Sequence, residues 1–208
     1  MSNSILVDCI GYLAQGLFST RFIVQWLASE RARAVMAPTV FWKISLLASL
    51  FLVIYSVLVL DITLLVGQFI GYYIYIRNLM LKKSWAKWTL AVRSIIIILP
   101  VLSVVFIFIK AGFEWNDFSS RHENLVYFTW GFIGQFIFSS RFVFQWYRSE
   151  KEKESHLPLG FWIISIVGSA IIGSYALTFG YYPILLGHII GLIMYSRNIM
   201  IHKKSKLL

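Results

Sequence analysis

Residues 11–30 read GYLAQGLFSTRFIVQWLASE and residues 131–150 read GFIGQFIFSSRFVFQWYRSE. The two stretches align without a gap at an offset of 120, and the register holds as far as residues 83 and 203, with 26 identities in 73 aligned positions. Polar and aromatic residues carry the match as much as aliphatic ones. Gln15, Arg21, Phe22, Gln25, Trp26, Ser29 and Glu30 return as Gln135, Arg141, Phe142, Gln145, Trp146, Ser149 and Glu150. Pro38, Phe41, Trp42, Ser45, Ser49 and Tyr55 return as Pro158, Phe161, Trp162, Ser165, Ser169 and Tyr175. Gly67, Gly71, Tyr75, Arg77 and Asn78 return as Gly187, Gly191, Tyr195, Arg197 and Asn198. Shared apolar composition does not produce such a pattern, so the chain is a tandem duplicate with a connector.

Hydrophobic residues make up 59% of the chain and charged residues 13%, against a charged share of about 25% in soluble domains. The chain reads as an all-α integral membrane protein, with no length left for a separate soluble domain. Its single Cys9 allows neither an internal disulfide nor a thiolate metal cluster, and neither metal nor other cofactor is expected. A net charge of +10 would point to nucleic acid in a soluble protein. Here the basic residues sit in short loops between apolar segments, so they read as topology signals and no nucleic-acid partner is expected. Residues 1–10 carry no basic region or cleavage signal, and no signal peptide is expected.

Seven segments supply the roughly 20 mostly apolar residues that a bilayer-crossing helix needs, at roughly 5–28, 40–60, 62–81, 89–111, 124–147, 159–179 and 181–201. Each repeat supplies three, and the fourth, expected to kink at Pro100, joins them. Three crossings leave the chain on the opposite face, so one extra crossing gives both copies the same orientation. The expectation is 3+1+3: residues 1–88, a linker helix and outer loop over 89–123, and residues 124–208, as parallel three-helix bundles in the SWEET manner. Arg31, Arg33, Lys82, Lys83, Lys87, Arg148, Lys151, Lys153, Lys203, Lys204 and Lys206 fall on one face, against Lys110 and Arg121 on the other. The positive-inside rule then places the N-terminus outside and the C-terminus in the cytoplasm. Gly67-x-x-x-Gly71 and Gly187-x-x-x-Gly191 read as close helix packing, and Asp61 falls at the turn between the second and third helices, opposite Tyr181.

Ionisable groups within a span cost at least ~2.5 kcal/mol on insertion scales, so each needs a partner or a purpose. Arg21 and Arg141 lie about 12 Å along a helix from the inner end of their spans, too deep for easy snorkelling. Gln25 lies one turn from Arg21, and Gln15 within about 120° of both, which gives helix one a polar face that Gln135, Arg141 and Gln145 repeat. Asp8, Asp61, Glu30 and Glu150 all sit near span ends, so no carboxylate of the spans neutralises these arginines. Two readings stay open. Either the guanidiniums converge near a pseudo-twofold axis on an anionic group such as phosphate, which they bind bidentately, or each is absorbed by Gln, Tyr or helix-end carbonyls and locks the bundle.

Gln68 and its counterpart His188 read as hydrogen-bonded packing residues or ligand contacts. Trp26, Trp42, Trp146 and Trp162 read first as interfacial belt residues, with sugar stacking as a second role for Trp26 and Trp146. The Arg77-Asn78 and Arg197-Asn198 pairs lie at the depth of Glu30 and Glu150, so ion pairs between first and third helices are expected. Tyr75, Asn78, Tyr195 and Asn198 complete the candidate ligand-binding set.

The pattern Gln-x5-Arg-Phe-x2-Gln-Trp-x2-Ser-Glu, Pro-x2-Phe-Trp-x2-Ser and Gly-Gln-x2-Gly-x3-Tyr-x-Arg-Asn resembles the lipid-A-disaccharide synthase N-terminal domain family, a three-helix membrane unit akin to PQ-loop and SWEET proteins. Both copies match, with His188 and Tyr181 as departures. The resemblance implies a bacterial inner-membrane protein of lipid A or envelope glycan assembly. The glycosyltransferase catalytic domain and any catalytic residues are absent from the sequence, so no enzyme is expected. The expected activity is transport or flipping of a sugar-phosphate lipid or polar sugar compound. The alternative is a non-transporting scaffold that recruits a glycosyltransferase. Membrane lipids and an anionic sugar-lipid or sugar-phosphate ligand are the expected partners.

Overall fold

A computed structural model describes residues 2–59, 62–111 and 125–205. Asp61, Arg121, Lys206 and the outer connector at 112–124 lie outside the described residues. The described residues form seven α-helices: α1 (Ser2–Ala32), α2 (Thr39–Leu58), α3 (Ile62–Leu81), α4 (Leu90–Ala111), α5 (Leu125–Glu152), α6 (Leu159–Thr178) and α7 (Tyr182–Ser205), with a short 3-10 turn at Trp85–Lys87 and no strand among them. The segments around α2, α4, α6 and α7 are long and apolar enough to cross a membrane. In α1, α3 and α5, the residues diluting the apolar run include Gln15, Arg21, Gln25, Gln68, Arg77, Asn78, Gln135, Arg141 and Gln145, the polar candidates themselves.

Helix boundaries repeat with the sequence. Pro38 and Pro158 each stand at the N-cap with φ of −65° and −69°, the ring's own preference, and their carbonyls receive the amides of Phe41 and Phe161. Arg33 and Lys153 follow α1 and α5 in the left-handed region at φ 51° and 54°. That position usually takes glycine; here a basic side chain sits instead at the negative end of the helix dipole.

The chain divides into two compact units: Met1–Gln25 with Ala37–Phe113 and Lys153–Ser155, and Trp26–Met36 with Glu114–Glu152 and His156–Leu208. In the first, α2 packs along α3 and both touch α4, around Val53, Leu65 and Ile107. Lipid is as apolar as leucine, so such cores hold by close packing rather than by a hydrophobic drive. In the second, α6 packs against both α5 and α7. Gly168 lets α6 approach α5 closely: a Cβ there would lie 2.7 Å from the Phe138 backbone.

α4 continues helically across Pro100. Proline has no N–H for the carbonyl four residues back, here Ile96, and hydrocarbon offers no substitute donor. Tyr72 of α3 supplies one, donating to the Ile96 carbonyl at 2.8 Å. Tyr73 adds a second bond to α4, donating to the Ile97 carbonyl at 3.1 Å. The counterparts on α7 are Leu192 and Ile193, so the tyrosines occur in the repeat whose helices pack on the proline-containing α4.

Candidate functional site

Arg21 projects from α1 between α2 and α3. Its Nη1 donates to Ser45 Oγ at 3.2 Å and to the Tyr75 hydroxyl at 2.8 Å. Ser45 spends its own proton on the Phe41 carbonyl at 2.7 Å, which turns a lone pair toward the guanidinium. The rings of Phe18, Phe22, Tyr75 and Phe41 stand 4.6, 4.8, 5.5 and 5.7 Å from Cζ, within the range in which a desolvated cation gains about 2 kcal/mol from a ring face.

The second repeat builds the same cage. Arg141 Nη1 donates to Ser165 at 3.4 Å and Tyr195 at 3.1 Å, with Phe138 at 3.5 Å and Phe142, Phe161 and Tyr195 beyond it. Arg21 is 4% exposed and Arg141 3%. Each arginine is therefore held by serine and tyrosine of its own repeat, the Tyr contact being one of those the bundle-locking reading anticipates.

The tyrosines reach these positions because of a glycine one turn earlier. A Cβ on Gly71 would lie 3.3 Å from the Tyr75 hydroxyl, and one on Gly191 3.1 Å from that of Tyr195. This corrects the expectation of close helix packing at these two glycines: the vacated space holds an aromatic side chain of the same helix. A Cβ on Gly187 would meet no side chain and no other helix within 4 Å, and the surroundings of Gly67 lie outside the described residues. Gly11 of α1 and Gly131 of α5 instead make room for a tyrosine of the next helix, Tyr55 and Tyr175, at 3.0 and 3.4 Å.

Trp42 and Trp162 are 0% and 1% exposed. They are core residues, which corrects their expected place in an interfacial belt. Each packs near the tyrosine of the cage, with ring centroids 6.2 and 6.0 Å apart, and each keeps a buried indole N–H with no acceptor among the described residues. A buried donor left so costs about 1–3 kcal/mol, and the same cost recurs in both copies.

Trp26 and Trp146 are 36% and 41% exposed. Trp26 donates to Glu30 Oε1 at 2.9 Å, and Arg197 grips the same carboxylate with Nε at 2.5 Å and Nη2 at 2.9 Å. The Arg197 hydrogen bonds hold the Glu30 carboxyl below the ordinary carboxylate range, against a smaller opposing effect of desolvation. The expected ion pair between a first and a third helix thus forms across the two sequence copies, within one compact unit.

Other candidates separate. Gln15 and Gln135 are exposed while Arg21, Gln25, Arg141 and Gln145 are buried, so the polar face splits, as a 600° advance over six residues dictates. Gln135 contacts Ser139 at 3.3 Å. Gln145 donates to Ser149 at 2.8 Å and to the His156 carbonyl at 3.0 Å, fastening the loop after α5. Asn78 donates to the Ile74 carbonyl and accepts from Ser155 at 2.7 Å, and Asn198 donates to the Met194 carbonyl. Gln68 accepts from Ser49 at 3.3 Å, and His188 Nδ1 lies 3.1 Å from Ser169, so glutamine and histidine fill one role in the two copies. The residues that sequence reasoning left out of the site include Ser45, Ser165, Trp42, Trp162 and the cage phenylalanines, all of which recur at the offset of 120.

Comparison with known proteins gives the geometry a context. The model of the Lipid A Biosynthesis N-terminal domain matches residues 10–80 and again residues 130–200, the same offset. The chain is 28% identical to the lipid-A-disaccharide synthase of Chlamydia caviae over 95% of this chain and 33% of that protein. It is 28% identical to that of Chlamydia pneumoniae over 82% and 29%, and 27% identical to that of Chlamydia felis over 95% and 33%. No solved structure matches. The chain spans about a third of the length of the curated relatives it matches. These relatives carry the name of an enzyme, a synthase, and the shared segment is part of them; this overturns the expectation that the chain is no enzyme, which rested on the missing catalytic domain and catalytic residues. The homology ties the chain to lipid A biosynthesis, and with both repeats matched it belongs to the Lipid A Biosynthesis N-terminal domain family.

Proposed function

We propose that this chain binds a phosphate-bearing sugar lipid of lipid A assembly and moves it across the bacterial inner membrane. The architecture in this reading is seven spans, with three-helix repeats at residues 1–88 and 124–208 held parallel by a linker over 89–123. The N-terminus is periplasmic and the C-terminus cytoplasmic. Movement follows the SWEET scheme of two repeats rocking about a midplane site.

The observation that carries the reading is the duplicated cage. In each repeat a permanently charged guanidinium donates to serine and tyrosine oxygens, and a buried indole N–H lies nearby with no acceptor among the described residues. Arginine cannot shed its proton, so the cage keeps a positive potential suited to a phosphate or sugar oxygen. The test is reconstitution in liposomes with a labelled polyprenyl-phosphate sugar and, separately, an acylated glucosamine phosphate. Acceleration over protein-free vesicles supports the reading, and protein-free rates with both remove it.

A second reading has support from the relatives. In each, the segment resembling this chain is about a third of a protein named as a synthase. The chain then serves disaccharide synthesis as its membrane part, holding a glycosyltransferase at the bilayer through basic loops. Co-purification with such an enzyme, lost when Arg31, Arg33, Lys151 and Lys153 become Ser, tests it.

A further inference from the structure

α3 and α7 are counterparts, yet what covers them differs. On α3, Tyr72 and Tyr73 hydrogen-bond to α4, and Tyr72 and Ile76 are buried. The same positions on α7 are Leu192, Ile193 and Ser196, where Ile193 is 67% exposed and Met200, about two turns further, 60%. Together with Arg197 these residues line an open groove of about 440 Å³.

The groove is apolar along its length and cationic at its C-terminal end. Arg197, half-exposed, gives Nε and Nη2 to Glu30, while Nη1 has no partner among the described residues. Lys203 and Lys204 follow in the last turn of the helix. We propose that this groove is a binding site for an anionic glycerophospholipid, with one acyl chain along Leu192, Ile193 and Met200 and the phosphate at Arg197.

Two arguments favour a lipid over a covering helix. A tyrosine hydroxyl facing an acyl chain has no acceptor there, and both tyrosines of the α3 face are replaced by aliphatic residues on α7. The free edge of a guanidinium, with Lys204 two turns further along the same face of the helix, also matches a phosphate, for which arginine has the fitting donor geometry, and net anionic headgroups are drawn to such cations. The proposal does not depend on transport through the arginine cages.

The test is native mass spectrometry of the full chain in detergent, titrated with phosphatidylglycerol or phosphatidylcholine. Phosphatidylglycerol is expected to be retained roughly tenfold better. Ile193→Trp, which fills the groove and leaves the Glu30–Arg197 pair in place, is expected to abolish that retention, and Arg197→Gln to remove the preference between headgroups. Equal retention of both lipids overturns the site, as does undiminished retention by Ile193→Trp. Displacement of phosphatidylglycerol by an equimolar acylated sugar phosphate, or a cross-linked dimer through residue 193, overturns the choice of occupant.

Discussion

Tyr75 folds back over Gly71 of its own helix, its hydroxyl 3.3 Å from where a Cβ would stand, and from that position it accepts a hydrogen bond from Arg21 at 2.8 Å. The glycine, the tyrosine and the arginine therefore act as one device, and Gly191, Tyr195 and Arg141 repeat it. An alanine at residue 71 gains about 1 kcal/mol of helix propensity over glycine but presses on a hydroxyl that Arg21 holds. Gly71→Val presses harder without the full propensity gain and is expected to destabilise by about 1–3 kcal/mol, as overpacking does. Tyr75→Phe in the same chain relieves part of that pressure. A double-mutant cycle by thermal unfolding in detergent checks this, with an expected coupling above about 0.5 kcal/mol.

The carbonyl that Pro100 leaves without a donor is satisfied by Tyr72. Tyr72→Phe is expected to cost about 1–3 kcal/mol, the penalty of an unsatisfied buried acceptor. Pro100→Ala restores the missing amide, so in its background Tyr72→Phe should cost much less. The four melting temperatures measure this directly.

Trp42→Phe removes a buried N–H that has no acceptor among the described residues. If the protein alone mattered, the change would be neutral or mildly stabilising, since the desolvation penalty of about 1–3 kcal/mol disappears against a modest loss of packed volume. The expected result is unchanged or higher thermal stability together with reduced ligand binding, read by scintillation proximity with a labelled sugar-phosphate lipid. Trp162→Phe should behave likewise.

The Glu30 carboxyl titrates below its usual value of 4.5 because Arg197 hydrogen-bonds to it. A group with a depressed folded-state pKa contributes stability that is present above the unfolded value and lost as pH falls through the folded one. The stability difference between the native chain and Glu30→Gln should therefore stay constant from pH 7 to about 5 and close at more acid pH. Melting curves of both proteins across that range check it.

The helices and the repeat were legible because the same pattern is written twice, and shared residues such as Pro38 and Pro158 mark the same boundaries in both copies. Arg21 and Arg141 stood out because charge inside an apolar run is costly wherever it points. Their partners were harder to read. Ser45 and Tyr75 are common residues whose role depends on a rotamer and on a glycine four positions earlier, and a Gly-x-x-x-Gly pattern looks the same whether a neighbouring helix or the helix's own tyrosine fills the gap. Trp42 lies near a helix start, as belt tryptophans do, and only packing against Phe41 and Tyr75 reveals it as core. Gln15 was misplaced with Arg21 and Gln25 because an arc of 120° is wide enough to run from the buried side of a helix to its exposed side.

The central claim is that the two arginine cages handle a phosphate-bearing sugar lipid. Its most direct test is the rate at which labelled polyprenyl-phosphate sugar or acylated glucosamine phosphate crosses liposomes holding the native chain, Arg21→Gln or Arg141→Gln, each verified as folded by its melting curve. The account predicts acceleration by the native chain and protein-free rates for both variants. Protein-free rates with the native chain, or native rates with either variant, would contradict it.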